Sequence, residues 1–482
     1  MTVPYRPRPG AFPTHIDSPR RAALLAPALL ALVLVGLALP ASSRSTPATA
    51  AATQTARNTG PTLIPPAQIP PAQTPPARPP SSEPASTEIA PTAPAPAAGA
   101  TPSTPPATAD LPGAIAELDQ DIAETIARHH LPGLAVAIVH QGRPLLVKGY
   151  GVTRVGGDEP VSEHTVFRIA SLSKGFAATL AAQLVREGAL HWDMAAVDQL
   201  PVLGMPREAP LGHLTVRDIL SHRIGIQSYN YLDRALEADQ PYPLLAARLG
   251  EAPMRCPPGE CYAYQNIAFS LIGDLSFAVT GEFFPISVHK RILLPLAMRD
   301  TSYGLDALRS SPSWARPHVR RGRNWQPVEP KENYYRVPPA AGVNASANDL
   351  GIWLLAQLGH RPGTLPPALL AEIHTPLIET PDQIGRSGWR AARLRSAHYA
   401  LGWRVFDYSG ERVIYHAGAV QGYRAALALL PSRDVGIALL WHSEHSAPNA
   451  LIATTLDRAL GLDQFDWREP PEPPPQTHTA AR

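Results

Sequence analysis

The spacing of apolar residues changes character several times along the chain. Between Leu111 and Arg128, Ile115, Leu118, Ile122 and Ile126 recur at intervals of three and four, which puts them on one face and predicts a helix. Leu134–Val139 and Pro144–Gly149 follow as short apolar runs on either side of Gln141-Gly142-Arg143, the pattern of two strands and a turn. Ala177–Arg186 is rich in alanine, leucine and glutamine, all good helix formers. Further on, Val413–Tyr415, Tyr423–Leu430 and Gly436–Trp441 alternate or run apolar between turn residues and predict three successive strands. Two early strands, helices in the middle and late strands predict an α+β protein. Its sheet should be mostly antiparallel, built from both ends of the domain and flanked by helices.

Before Leu111 the pattern is different. Residues 1–21 carry Arg6, Arg8, Arg20 and Arg21, and Ala22–Leu39 then reads AALLAPALLALVLVGLAL without a charge. A basic stretch followed by an apolar one predicts an export signal over residues 1–41. Ala41, Ser42 and Ser43 suit cleavage, whereas the length of the apolar run, at the lower limit for a spanning helix, suits a retained anchor. Residues 42–110 are mostly alanine, proline, threonine and serine, including the local repeat IPPAQIPPAQTPPARPP. The chain holds 56 prolines, and a packed core cannot absorb so many, because each removes a backbone donor and fixes φ. Residues 42–110 are therefore expected to form an unfolded, semi-rigid stalk of polyproline character. The folded unit is expected over 111–465, with a disordered tail at 466–482. An exported, periplasmic or extracellular protein, with a possible membrane tether at residues 22–39, is the expectation.

Charge excludes one class of partner. The 42 basic and 40 acidic side chains leave a net charge of +2, so nothing advertises nucleic acid. The only two cysteines, Cys256 and Cys261, bracket Pro257-Pro258-Gly259-Glu260. In an oxidising compartment they can close a small disulfide loop; otherwise they are two unlinked thiols. Two cysteines alone make a poor case for a structural zinc, which usually takes four protein ligands.

Three clusters carry chemistry. In Ser171-Leu172-Ser173-Lys174, a helix starting near Ser171 would bring Lys174 one turn later onto the same face. A desolvated lysine can take the proton that makes serine a nucleophile. Serine is also an ordinary N-cap, and S-x-x-K arises by chance. Ser173 competes as nucleophile, but adjacent side chains diverge on a helix. The second cluster is Tyr264-Gln265-Asn266, ahead of the apolar run IAFSLIGDL. Tyr264 can accept or relay the serine proton as phenolate, and Asn266 can hold Lys174 or a substrate carbonyl; alternatively Tyr264 packs and Asn266 caps the helix. The third is His416-Ala417-Gly418-Ala419, followed by Gln421-Gly422-Tyr423. Such a small-residue strand edge offers N–H groups to a substrate or an oxyanion, unless it is only a hairpin turn.

Together and in this order, the clusters resemble the serine β-lactamase and penicillin-binding protein superfamily, and in particular its class C β-lactamase-like branch of esterases, D-aminopeptidases and D,D-carboxypeptidases. Leu214–Ile226, Pro295–Gly304, Ala340–Leu354 and Tyr399–Val405 also look like that family. The resemblance implies a β-lactamase/transpeptidase-like fold with an inserted, mainly helical subdomain. It implies that Ser171 is acylated, Lys174 activates it and Tyr264 is a general base or relay. Asn266 would orient the substrate, and His416 and Gly418 would line the third motif. The N–H groups of Ser171 and Ala419 would form the oxyanion hole. No cofactor or metal is implied, and the partner is a small-molecule or peptide acyl substrate.

One departure matters. The family's Lys-Thr/Ser-Gly is His416-Ala417-Gly418 here. A permanent cation and a hydroxyl, both suited to a substrate carboxylate, are replaced by an imidazole that is mostly neutral at pH 7 and a methyl group. Esters, amides or D-amino-acid peptides are therefore expected as substrates in place of efficient penicillin hydrolysis, with a true β-lactamase, a D,D-carboxypeptidase and a non-catalytic cell-wall peptide-binding module as alternatives. His442-Ser443-Glu444-His445 lacks the spacing of a helical metal motif. Arg320, Arg321 and Arg323 are expected on a solvated loop, and His222 in a structural turn before Gly225.

Overall fold

A computed structural model describes residues 111–468, apart from 205 and 207. The expected export segment 1–41 and stalk 42–110 lie outside the described residues, as does the chain beyond Arg468. At the centre is an eight-stranded antiparallel sheet. Its order is Arg143–Gly151, Gly133–His140, Val435–Trp441, Tyr423–Leu430, Glu411–Val420, Arg404–Tyr408, Leu394–Tyr399, Ile378–Glu379. The first two strands and the last three of the chain meet where Leu134 pairs with Trp441 and Ile138 with Ile437, so both ends of the domain do build one sheet. Between Gly151 and Ile378 the chain is mainly helical, forming the inserted subdomain.

The central strands read as nearly continuous apolar runs because both faces are covered. Successive side chains point to opposite faces. Leu134, Val136 and Ile138 join one core with Leu118, Ile122 and Leu456, from the helices Leu111–His129 and Ala450–Leu460. Ala135, Ala137 and Val139 join the other, which holds Phe176, Leu180 and Leu184 of the helix Ser173–Arg186 and the helical insertion. The small alanines on this second face let the helices approach the sheet closely.

Three sequence expectations change. The third-motif strand runs from Glu411 to Val420, well beyond Val413–Tyr415, and from Ile414 to Val420 it pairs with the strand Tyr423–Leu430. His416–Ala419 therefore lies within a strand, and the turn comes afterwards at Gln421-Gly422. The folded unit also passes residue 465: Trp467 is buried and donates its indole N–H to Asp457 Oδ2 at 2.9 Å, an aromatic anchor inside a segment assigned to the tail. Arg320 and Arg321 stand exposed on a two-stranded hairpin, His318–Arg321 with Asn324–Pro327, where a loop was expected.

Candidate active site

Ser171 does not begin an α-helix. It sits in a 3-10 turn, Ala170–Leu172, and the α-helix starts at Ser173. The cause lies one residue earlier, where Ala170 is held at φ +48°, a left-handed conformation costly for an alanine and often found beside functional groups. In a 3-10 turn, side chains three apart eclipse, so Lys174 still comes round to Ser171. The turn is pinned by Ser173, whose buried hydroxyl donates to Ala170 O at 2.6 Å and accepts from Val343 N at 3.0 Å. Ser173 is thereby committed to structure, and no side-chain cap uses the hydroxyl of Ser171.

Lys174 is fully buried, with Nζ 2.8 Å from Asn266 Oδ1, 3.0 Å from Ala340 O and 3.3 Å from Ser171 Oγ. Burial pushes its pKa well below the usual lysine range, the nearby Arg404 guanidinium pushes it further, and Asp233 partly opposes them. A neutral amine has two N–H groups. In that form Asn266 and Ala340 would take both, and the lone pair would face Ser171.

Tyr264 donates its phenolic O–H to Ser171 Oγ at 2.9 Å. It leads into the helix Asn266–Phe269, whose N-cap is Gln265, accepting from Ala268 N at 2.9 Å. Asn266 is therefore not the cap, and its amide is free to hold Lys174. Burial, partly offset by the contact with Ser171, raises the Tyr264 pKa above its usual value, so the side chain rests as a phenol and not as the phenolate allowed for above. Just upstream, Cys256 and Cys261 are joined as a disulfide.

The third motif lies against the nucleophile's turn. A Cβ added to Gly418 would stand 2.2 Å from Ile169 O and 3.1 Å from Ser171 N, so only glycine permits this approach. His416 is buried; its Nε2 lies 3.1 Å from Tyr399 Oη and its Nδ1 2.8 Å from Ala417 O. Burial first, then Arg404 and Lys174, hold it well below the usual histidine range, so it stays neutral. Ala419 is exposed at the strand edge. Ser171, Tyr264, Asn266, His416, Gly418 and Ala419 line one cavity of about 420 Å³, with Lys174 behind its wall.

Sequence reasoning missed three contributors. The Ala340 carbonyl carries no side-chain signal. Arg404 lies with its guanidinium carbon 5.8 Å from the Tyr264 ring centre and 5.5 Å from that of Tyr399. His222, expected to be structural, is buried at φ +56° with its ring 4.2 Å from that of Tyr264 and Nδ1 accepting from Gln265 N at 3.2 Å. It thus packs directly on the phenol that contacts Ser171.

Residues 118–462 match the family model described as Beta-lactamase. Among curated relatives, the chain is 27% identical over 373 residues to Unguisins hydrolase ungD' of Aspergillus campestris, covering 73% of this chain and 68% of that protein. It is 26% identical over 326 residues to Protein flp of Staphylococcus aureus, covering 67% and 62%. The chain thus spans about two thirds of the length of these relatives. Among solved structures, the octameric penicillin-binding protein homologue from Pyrococcus abyssi superposes with a TM-score of 0.64 at 22% identity, covering 72% of this chain and 78% of that one. A class C beta-lactamase superposes at 0.58 and 21%, covering 73% and 96%. At these identities the structural likeness establishes the fold.

Proposed function

The chain belongs to the Beta-lactamase family, and from that premise we propose that it is a serine hydrolase cleaving esters, amides or D-amino-acid peptides through a covalent acyl-Ser171 intermediate. One observation carries this reading: a single hydroxyl, Ser171 Oγ, lies within reach of both a phenol and a buried amine that is also held by Asn266 Oδ1 and Ala340 O. In this reading the Lys174 lone pair takes the Ser171 proton as Oγ attacks the substrate carbonyl. Tyr264 gives its proton to the departing group and is reprotonated from Lys174. Water then attacks the acyl-serine, and the proton passes back along the same path. The N–H groups of Ser171 and Ala419 receive the oxyanion, and such donors are typically worth about 3–4 kcal/mol each in barrier height. The neutral His416 and the methyl of Ala417 support esters, amides or peptides over β-lactams.

Labelling the full chain with a fluorophosphonate and mapping the adduct by mass spectrometry tests the proposal. Modification of Ser171 is expected, along with loss of p-nitrophenyl ester turnover in Ser171→Ala. Equal turnover by that variant, or a label elsewhere, would refute it. Nitrocefin turnover matching that of the esters would instead favour a true β-lactamase. We also propose that the enzyme works outside the cytoplasm, exported or tethered by Ala22–Leu39; the Cys256–Cys261 disulfide supports this, because such bonds persist in oxidising compartments.

A further inference from the structure

The short helix Val216–Leu220 ends on a residue that local preference does not favour. After the C-cap Ser221, His222 turns left-handed at φ +56°. Its N–H returns to Ile219 O at 3.3 Å, and that of Arg223 returns to Asp218 O at 2.9 Å. This pair of bonds closes a helix on a left-handed residue, a position that glycine or asparagine usually fills because they adopt it at little cost. Here it holds a fully buried imidazole. A local rule broken without local gain points to a task elsewhere in the fold.

That task is a hold on Tyr264. The His222 backbone O accepts from Ala263 N at 2.8 Å, and its Nδ1 accepts from Gln265 N at 3.2 Å, so the residues on both sides of Tyr264 are tied to one histidine. Its ring lies 4.2 Å from the phenol ring, tilted by 37°. Gln265 in turn caps the helix that carries Asn266. Burial first, then Lys174, His416 and Arg404, hold the imidazole well below the usual histidine range, so it is neutral and Nδ1 keeps its lone pair. The proton then sits on Nε2, which is buried without a hydrogen-bond partner. An apolar ring would pack there without that cost, so the Nδ1 acceptor is what histidine supplies. We propose that His222 is a positioning residue: it binds the backbone on both sides of Tyr264, packs on its ring, and so keeps the phenol within reach of Ser171 Oγ. It acts on the reaction through Tyr264 alone. The inference rests on the reading of Tyr264 as the relay to Ser171.

Two substitutions tolerate the left-handed turn and separate the contacts. His222→Gly loses both ring and acceptor, whereas His222→Asn loses the ring but can offer its side-chain oxygen to Gln265 N. In the full chain, with p-nitrophenyl esters, His222→Gly is expected to lower kcat about tenfold to a hundredfold, the scale of a misplacement of about 1 Å, with KM within about threefold of wild type. His222→Asn should recover most of that loss. A double-mutant cycle with Tyr264→Phe then asks whether the effect runs through the phenol. If it does, adding His222→Gly to Tyr264→Phe should lower kcat by no more than about twofold, because the coupling energy cancels the single effect. A further fall of about tenfold in the double variant, or His222→Asn no better than His222→Gly, overturns this inference. Where Ser171 takes the fluorophosphonate label and Tyr264→Phe is slow, that result leaves the hydrolase reading standing. If Ser171 is not labelled and Tyr264→Phe matches wild type, the hydrolase reading fails and this inference falls with it. Should His222→Gly not fold, His222→Gln, whose amide reaches one carbon further than that of asparagine, takes its place in the cycle with the same expected outcomes.

Discussion

Replacing Tyr264 by phenylalanine removes a hydroxyl and keeps the ring. The ring's surroundings should therefore persist: His222 at 4.2 Å, Lys174 Nζ 4.7 Å above the centroid and the Arg404 guanidinium at 5.8 Å. The cost to the fold is one hydrogen bond to Ser171 Oγ, about 0.5–1.5 kcal/mol. For a domain of this size that is a fall in Tm of about 2–4 °C at most. The cost to the reaction is larger. If the phenol relays the proton between Lys174 and the leaving group, its loss should lower kcat/KM by about a hundredfold to ten-thousandfold, or roughly 3–5 kcal/mol of barrier. A pH profile then separates the two groups. Lys174 must be neutral to act, and its pKa is depressed by burial, so activity should fall in acid as the pH drops through that depressed value. The Tyr264 pKa is raised by burial, so the phenol stays protonated through the neutral range and cannot cause that limb. Tyr264→Phe should accordingly be slow at every pH and keep the acid limb. Ester kinetics from pH 5 to 9, with calorimetry on the same samples, provide the check. A variant within threefold of wild type, or one that loses the acid limb, would refute the relay.

Asp233 is buried, and burial raises its pKa to about 6 despite hydrogen bonds from Asn230 N and Gln265 Nε2. The folded state therefore holds a proton that the unfolded chain releases near pH 4, so stability is greatest below that value and is lost as the pH rises through about 6. Asp233→Asn keeps the acceptor oxygen and should be more stable than wild type at pH 8, by up to about 3 kcal/mol, with urea midpoints converging at pH 4; equal gaps at both pH values would count against this. Removing the disulfide with Cys256→Ser and Cys261→Ser opens a loop whose ends are 5 residues apart, and chain entropy predicts a loss of about 2 kcal/mol in denaturant melts. Gly418→Ala should lower kcat/KM at least about tenfold, because its Cβ must drive the strand away from Ile169 O, at a stability cost of about 1–3 kcal/mol; wild-type kinetics would show that this approach does not matter.

Sequence by itself determined the parts of this protein that depend on near neighbours. Leu134–Val139 read as a strand from the sequence, and the structure has it as Gly133–His140, apolar on both parities and covered on both faces. The spacing of Leu118 and Ile122 set the face on which the first helix packs. The identities of Ser171, Lys174, Tyr264, Asn266 and Gly418 were legible too, because the three clusters that hold them are contiguous and their order along the chain resembles a known family. What only tertiary structure decided was convergence and charge. Ser171 and Tyr264 are 93 residues apart, and periodicity carries no information over that distance. The left-handed Ala170 put Ser171 in a tight turn ahead of the helix, a choice imposed by packing between Ile169 and Gly418 that the string FRIASLSK does not reveal. The Ala340 carbonyl is chemically the same as every other backbone carbonyl, so nothing singled it out until the fold brought it to Lys174. Trp467 sat among residues resembling a tail until Asp457 gave its indole a partner. Arg404 lies in Tyr399–Val405, a stretch that resembles the family, but the sequence attached no role to it. Partial burial beside three phenols is what makes it part of the site, because desolvation depends on everything packed around a group and not on the letters beside it.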